Sequence, residues 1–340
     1  MSVRIQLRRD SAANWASVNP ILAAGEIGIV TDDLSYKVGN GITAWNSLPA
    51  AQLTGVFGAG MTLTGMADPS PPAAGQMRLY SQSVGGRLMA KIMGPSGLDT
   101  PLQHAIFANN ILSAFPGNAA VIDFLGANAA PTAVGTVSHP TIASGVSLRQ
   151  ATRRSLVTSA ATANSASELR FAFPACYRGE VFGAAVAGGF HSITRWGMSS
   201  ATALQRAAVG LWSSSGATAV TQVPSALTNC LIAGWDSGDT QVQIMCNDAT
   251  GTCTKVALGT DFPANTPDAI YESTFFCASN GDQVSWRVRR LDTGAVAQGV
   301  ITTDMPSKDT MLSWHGYANN GGTAAAVVLD FYRMYLETDY

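Results

Sequence analysis

Residues 284–289 read Val-Ser-Trp-Arg-Val-Arg, an alternation of apolar and polar side chains that is typical of a β-strand with one solvated face. Residues 242–246 read Val-Gln-Ile-Met-Cys and repeat the pattern. Turn-forming residues separate such segments, as in Trp-Asp-Ser-Gly-Asp at 235–239. Many short strands at near-regular spacing predict that residues 117–340 form an antiparallel β-sandwich of the jelly-roll type.

The composition also favours a mainly β protein. The 340 residues are 46% hydrophobic and 12% charged, whereas ordinary soluble domains carry about 25% charged residues. Lysine occurs only four times, and Ser, Thr, Asn and Gly fill most polar positions, which favours strands and turns over helices. The formal net charge of −2 argues against nucleic-acid binding. Apolar runs are too short to cross a bilayer, so the chain is not expected to be embedded in a membrane.

Residues 1–53 predict a small α+β domain. Asp10 or Ser11 is suited to cap a short helix, because both side chains can accept a hydrogen bond from the first helical turn. Trp15 and Trp45 would supply the core of so small a unit.

Residues 54–116 predict a linker followed by a β-rich shoulder. The linker opens with a glycine-rich joint at 55–60 and continues into a proline-rich stretch. Two strands are expected on either side of the turn Val-Gly-Gly at 84–86. Residues 102–112 predict a short helix.

Several segments near the amino terminus resemble the small N-terminal domain that many bacteriophage tail fibres and receptor-binding proteins share. The segments that carry this resemblance are 5–15, 19–22, 25–28 and 37–49. Asn40 departs from the Gly-Asp-Gly turn that is commoner in the family. A second resemblance, at 71–80, 86–88 and 94–103, is to a shoulder segment that recurs in such fibres. Residues 228–236 and 247–251 look more loosely like the lectin-like C-terminal domains of these proteins.

The resemblance implies a homotrimeric protein of the virion, located at the tail tip or baseplate and made in the host cytoplasm. Residues 1–53 would fasten it to a tail or baseplate protein. Residues 117–340 would bind a host surface glycan, pilus or outer-membrane receptor.

Six residues are the candidates for ligand contact: Trp235, Asp236, Asp239, Trp314, His315 and Tyr317. Aromatic rings can stack on sugar faces, and the carboxylates can bind hydroxyls. Both groups of residues read as loops, where binding residues concentrate. Core packing of the rings and turn formation by the aspartates are the alternatives.

No catalytic residue, metal or cofactor is predicted, and the protein is expected not to be an enzyme. His191 follows Gly188 and Gly189, but the chain contains no Gly-x-Ser-x-Gly motif that would mark a serine hydrolase. The five cysteines include no Cys-x-x-Cys pair, which favours buried reduced thiols over a zinc site.

Two other functions remain open. A tailspike depolymerase needs a pair of carboxylates, and Asp261, Asp268 and Glu272 lie in one stretch. However, the repeating rungs of a β-helix, on which such enzymes are generally built, are missing from the sequence. The remaining alternative is a structural baseplate subunit whose partner is another tail protein.

Overall fold

A computed structural model of the chain describes residues 7–32, 35–49, 62–95, 99–101, 110–117, 122–125, 130–183 and 185–339. It is mostly β, with 45% of residues in strands and 6% in helices, which confirms the predicted fold class. The chain forms two compact units, residues 1–62 and 63–340. The predicted division at residues 53 and 116 stays a prediction. No helix in the described ranges is long and apolar enough to cross a bilayer.

The first unit is a small α+β fold. Its elements are β1 (Arg8–Asp10), α1 (Ala12–Val18), β2 (Ile27–Val30), β3 (Tyr36–Val38) and a 3-10 turn at Trp45–Ser47. Strand β2 lies between β1, to which it is parallel, and β3, to which it is antiparallel.

The helix and the core of this unit follow the expectation from the sequence. Ser11 caps α1, since its Oγ accepts a hydrogen bond from Asn14 N at 3.2 Å. Trp15 and Trp45 are buried and stack with ring centroids 4.1 Å apart. A Cβ on Gly28 would lie 2.6 Å from the Trp45 ring, so this strand position requires glycine.

The second unit opens with a three-stranded sheet of order β4–β5–β6, formed by β4 (Arg78–Val84), β5 (Arg87–Met93) and β6 (Asp99–Pro101). The turn predicted at 84–86 joins β4 to β5. The helix predicted at 102–112 is wrong where it can be compared, because Asn110 begins strand β7 and residues 102–109 lie outside the described ranges.

The next elements are the strands of the two large sheets and two short helical segments between them. In chain order they are β7 (Asn110–Pro116), β8 (Ile122–Leu125), β9 (Thr132–Val134), β10 (Thr136–Ser138), α2 (Leu148–Ala151), β11 (Ser155–Thr158), β12 (Ala166–Arg170), β13 (Glu180–Phe182), β14 (Ala185–Met198), β15 (Arg206–Trp212) and a 3-10 turn at Pro224–Ala226. They are followed by β16 (Cys230–Trp235), β17 (Gln243–Asn247), β18 (Thr254–Ala257), β19 (Ile270–Cys277), β20 (Val284–Arg290), β21 (Val296–Ile301), β22 (Ser313–Asn319) and β23 (Val328–Asp339).

Both large sheets are antiparallel. The ten-stranded sheet has the order β10–β11–β23–β14–β19–β20–β21. Strand β7 also pairs with β23, β8 pairs with β7, and β13 pairs with β14. The seven-stranded sheet has the order β18–β17–β16–β15–β22–β12–β9. The segments predicted as strands at 242–246 and 284–289 fall on β17 and β20.

The two sheets pack face to face around one apolar core, as a β-sandwich does. Trp196 of the ten-stranded sheet stacks on Trp235 of the seven-stranded sheet at 5.8 Å. Trp314 packs on Phe331 at 5.6 Å and donates a hydrogen bond from Nε1 to Thr194 Oγ1 at 2.8 Å. Large aromatic side chains therefore fill the space between the sheets.

A second apolar cluster covers the opposite face of the seven-stranded sheet. Its members come from the sheet, from the segment 213–229, which crosses this face, and from the connection between β17 and β18, which contributes Cys253: Ala166, Ala208, Trp212, Leu227, Cys230, Ile232, Met245, Cys253 and Tyr317. The alternation at 242–246 predicted one solvated face for β17, but Gln243 and Met245 are buried. The covering segment therefore replaces water on this side of the sheet.

Candidate functional site

A pocket of about 210 Å³ opens on the outer face of the ten-stranded sheet, below the β4–β5 turn. Gly85 and Gly86 form this turn with positive φ angles of 59° and 88°. A Cβ on Gly86 would lie 2.3 Å from Ser285 Cβ, and one on Gly85 would lie 2.4 Å from Thr274 Cγ2. Two glycines thus allow the hairpin tip to rest directly on the sheet. The following residue, Arg87, points into the pocket.

Arg87 is held there by Glu337 of β23. The guanidinium donates through both terminal nitrogens, and the Nη2 to Oε1 distance is 2.8 Å. The Glu337 side chain is 4% exposed and also accepts a hydrogen bond from Tyr335 Oη at 2.8 Å. A bidentate pair of this kind fixes both planar groups and offers fixed donors and acceptors at the pocket wall.

His191 of β14 completes the polar side of the pocket. Its ring is buried, and Nδ1 lies 3.5 Å from Arg87 Nη1. Burial and the positive charge of Arg87 lower the pKa of His191 to about 4, although Glu337 and the Val84 carbonyl act in the other direction. The imidazole is therefore neutral at neutral pH.

The remaining wall is aromatic and hydroxylic. Phe276 meets His191 edge to face, with centroids 6.0 Å apart and an interplanar angle of 90°. Ser279 and Thr338 also line the pocket, where their hydroxyls donate to the carbonyls of Gly188 at 2.8 Å and Gly189 at 2.7 Å. The site combines charged, neutral polar and aromatic groups, the set that binds a small hydroxylated molecule.

The structure buries two of the predicted ligand-contacting rings. Trp235 is 1% exposed, and its Nε1 donates to the Gln205 carbonyl at 3.2 Å. Trp314 is 0% exposed and lies on β22, not in the loop that the sequence predicted. A ring with no exposed face cannot stack on a sugar, so the core-packing alternative accounts for both.

His315 and Tyr317 lie on the other face of β22, under the segment 213–229, and both are fully buried. His315 Nδ1 is 3.0 Å from Glu168 Oε1, and Nε2 is 2.6 Å from the Ser214 carbonyl. Tyr317 Oη donates to the Ala219 carbonyl at 2.7 Å. Their polar atoms therefore hold the covering segment in place and do not face solvent.

Glu168 is the centre of this buried network. Its carboxylate accepts hydrogen bonds from Thr218 N at 3.1 Å and Thr218 Oγ1 at 2.5 Å. Burial alone would raise the pKa of Glu168, but the hydrogen bonds with His315 and Thr218 lower it below its ordinary value. The Trp212 ring stacks on the His315 ring with centroids 4.0 Å apart and covers the apolar side of the network.

Asp236 and Asp239 are the predicted residues that remain partly accessible. They meet at Lys255, whose Nζ lies 3.1 Å from Asp236 Oδ2 and 2.5 Å from Asp239 Oδ2. Partial burial opposes the charge of Lys255, but the two carboxylates raise its pKa above the ordinary value. Asp239 also accepts from Asp236 N at 2.8 Å, as turn-forming aspartates do. Ligand binding by this pair stays a prediction.

The pocket was not predicted from the sequence because its residues are far apart in the chain. Arg87 and Glu337 are separated by 250 positions, and only the folded sheet brings them together. The one available signal was His191 beside Gly188 and Gly189. Both glycines have positive φ, and a Cβ on Gly189 would lie 2.6 Å from Ser279 N, so they allow the close chain approach that shapes the pocket edge.

Comparison with known proteins gives weak structural likenesses and one sequence match. Peanut lectin in complex with a 9mer peptide is 12% identical with a TM-score of 0.38, covering 61% of this chain and 97% of the lectin. Arcelin-5, a lectin-like defence protein from Phaseolus vulgaris, is 7% identical with a TM-score of 0.42, covering 68% and 100%. The CBM2 module of the evolved Dit of Lactobacillus casei BL23 phage J-1 is 13% identical with a TM-score of 0.35, covering 54% and 77%.

No curated protein matches the sequence. Residues 5–43 match the family model described as the major tropism determinant N-terminal domain, which confirms the resemblance of this segment to the N-terminal domain of phage receptor-binding proteins.

Proposed function

We propose that this chain is a bacteriophage receptor-binding protein that recognises a host surface glycan through the pocket lined by Arg87, His191 and Glu337. Residues 1–53 fasten it to the tail or baseplate, and the chains assemble as a homotrimer at that end of the virion. The observation that carries the proposal is the match of residues 5–43 to the N-terminal domain of a tropism determinant.

The chemistry of the pocket supports a sugar as the ligand. Sugar hydroxyls both donate and accept hydrogen bonds, and the carboxylate of Glu337 provides acceptors beside the donors of Arg87. Phe276 adds an aromatic surface for the apolar face of a sugar ring. The volume of about 210 Å³ is below the roughly 300–1,000 Å³ of drug-sized ligand sites, so it suits one sugar residue at the end of a chain.

The depolymerase alternative finds less support. Glu272 is paired with Arg195, and Asp268 lies 2.5 Å from Arg149 Nε, so both carboxylates are neutralised by arginines. A glycosidase needs one carboxyl group that keeps its proton and a second that attacks or activates water. The low pKa of His191 also makes this ring a poor general acid near neutral pH. We therefore propose a binding protein and not an enzyme.

The main experiment measures binding of the full-length protein to an array of bacterial surface polysaccharides and to host cells. The Arg87→Lys variant keeps the charge but loses the fork that pairs with Glu337. Loss of one charged hydrogen bond predicts at least about tenfold weaker binding. The matched control is Arg290→Lys, because Arg290 pairs with Asp292 away from the pocket residues.

Four results would separate the alternatives or contradict part of the proposal. Binding that Arg87→Lys leaves unchanged would remove the pocket from the proposal. Release of reducing sugar from the polysaccharide would favour the depolymerase. Purified protein that neither binds host cells nor slows phage adsorption would favour a structural subunit, and virions that still incorporate a chain lacking residues 1–53 would contradict the attachment role.

A further inference from the structure

Two of the five cysteines lie in direct contact. Cys230 at the start of β16 and Cys253 before β18 are 23 positions apart, and their Sγ atoms are 3.4 Å from each other. Both residues belong to the apolar cluster under the segment 213–229, with exposed fractions of 0% and 8%. The sequence predicted five buried reduced thiols, and for this pair the contact indicates a more specific chemistry.

Both thiols lie near the same carbonyl oxygen, that of Leu227. Cys230 Sγ lies 3.6 Å and Cys253 Sγ 3.4 Å from the Leu227 carbonyl oxygen, which also accepts from Asn247 Nδ2 at 2.7 Å. A carbonyl oxygen has two lone pairs, and the amide is a much stronger donor than a thiol. The two thiols therefore share one remaining acceptor position on this oxygen, and Cys253 Sγ also lies 3.7 Å from the Pro224 carbonyl oxygen. Removing both thiol protons would leave the carbonyl satisfied by Asn247.

We propose that Cys230 and Cys253 are a modification site at which a disulfide forms when the protein meets a disulfide or other mild oxidant. A disulfide needs an Sγ–Sγ distance of about 2.05 Å, so the two atoms must approach by about 1.4 Å. Cys253 lies in the connection between β17 and β18, where a side-chain rotation can supply this approach. Its backbone N donates to the Ser225 carbonyl at 2.8 Å, so the bond would fasten the 3-10 turn Pro224–Ala226 to the sheet.

The reaction balances with glutathione disulfide as the oxidant. The thiolate of Cys253, the more exposed of the two, attacks one sulfur of glutathione disulfide and releases one glutathione thiol. The Cys230 thiolate then attacks the Cys253 sulfur of the mixed disulfide and releases the second. The protein loses two electrons and two protons, and the two glutathione molecules gain them. The hydrogen bond with Cys253 and burial raise the pKa of Cys230, so the second step is expected to be slow near neutral pH.

The other three cysteines lack a thiol partner of this kind among the described residues. Cys246 Sγ lies 3.8 Å from the Thr303 carbonyl, and Cys277 Sγ lies 3.4 Å from the Ala278 carbonyl. Cys176 is fully buried, and burial raises its pKa strongly. We expect these three thiols to stay reduced under the same oxidant.

The test begins with the purified wild-type chain, incubated with glutathione disulfide and then unfolded in the presence of an alkylating reagent. Mass spectrometry should show three alkylated cysteines in place of five, and peptide mapping should recover a cross-link between Cys230 and Cys253. The apparent Tm should rise by about 5 °C or more and return to its starting value with dithiothreitol, because the bond restricts the unfolded chain.

Variants assign the site without depending on stability. Cys253→Ser should keep its four remaining cysteines available for alkylation. Cys230→Ser should hold Cys253 as the mixed disulfide with glutathione, since no second thiol resolves it, and the control Cys176→Ala should still lose two thiols to the cross-link. Five alkylated cysteines in the treated wild type would overturn the proposal, as would a cross-link mapped to any other pair. Because this readout requires no receptor, its failure is distinct from a failure of the proposed glycan binding.

Discussion

The outer faces of the two sheets differ in how they are covered. On the seven-stranded sheet the segment 213–229 covers a polar network centred on Glu168, and the covered atoms have no access to solvent. On the ten-stranded sheet the tip of the β4–β5 hairpin rests on the strands and leaves a pocket beside Arg87 and Glu337. Each face has a buried glutamate near a histidine, and the pocket described above lies on the second face.

The difference shows that residue type alone does not identify a binding surface. The pair of Glu168 and His315 would read as a ligand site on an open sheet, yet every partner in it is internal. Arg87 and Glu337 are also paired internally, but they line a cavity. The cover decides whether the same chemistry stabilises the fold or is available for recognition.

The largest loss of stability is expected on the covered face, from Glu168→Ala. This change removes the carboxylate while its partner His315 stays buried, and breaking a buried pair typically costs about 3–5 kcal/mol. Urea unfolding of the full chain should show a loss of this size. Glu168→Gln keeps an acceptor for Thr218 and should lose less. A loss below about 1 kcal/mol for Glu168→Ala would mean that the cover does not depend on this network.

The second-largest effect is the pH dependence of stability that comes from His191 on the pocket face. The pKa of His191 is about 4 in the folded chain and about 6.5 when unfolded, so the unfolded state binds the proton first as the pH falls. The stabilisation from neutral His191 is complete above pH 6.5 and is lost between pH 6.5 and about 4. The free energy of unfolding should change with pH by up to about 1.4 kcal/mol per pH unit. The total contribution of His191 is on the order of 3 kcal/mol.

Comparison of the wild type with His191→Gln isolates this contribution. Other groups, among them Glu168 with its lowered pKa, lose stabilisation on acidification in both proteins. The free energy of unfolding of the variant should therefore fall less steeply between pH 6.5 and 4. Equal slopes in the two proteins would show that His191 is protonated as easily in the folded chain as in the unfolded one.

The smallest loss of stability is expected at the edge of the seven-stranded sheet, from Lys255 of β18. Its side chain is 29% exposed, and ion pairs with this access to water contribute about 1 kcal/mol or less. Lys255→Met should therefore change the unfolding midpoint only slightly, and it should leave Asp236 and Asp239 with free carboxylate oxygens. If those two residues bind the receptor, this variant should alter glycan binding, whereas an unaltered affinity would count against them.

Sequence alone predicted the mainly β fold, the capped helix and the paired tryptophans of the first unit, because these depend on local patterns. It failed where a distant segment changes the surroundings of a residue. Met245 of β17 and His315 of β22 lie on a face that alternation assigns to solvent, and only the folded chain shows that residues 213–229 cover it. The contact between Arg87 and Glu337 depends on β-sheet pairing across most of the chain, which residue spacing does not encode.

Strand β7 has a practical consequence for recombinant work. It lies within the predicted shoulder, yet residues 110–114 pair with residues 334–338 of β23. A fragment that starts at residue 117 would strip the last strand of its neighbour on that side and create an open edge. Unpaired edges recruit strands from other molecules, so such a fragment should form insoluble aggregates, whereas one that retains the hairpin and β7 should purify as a stable protein.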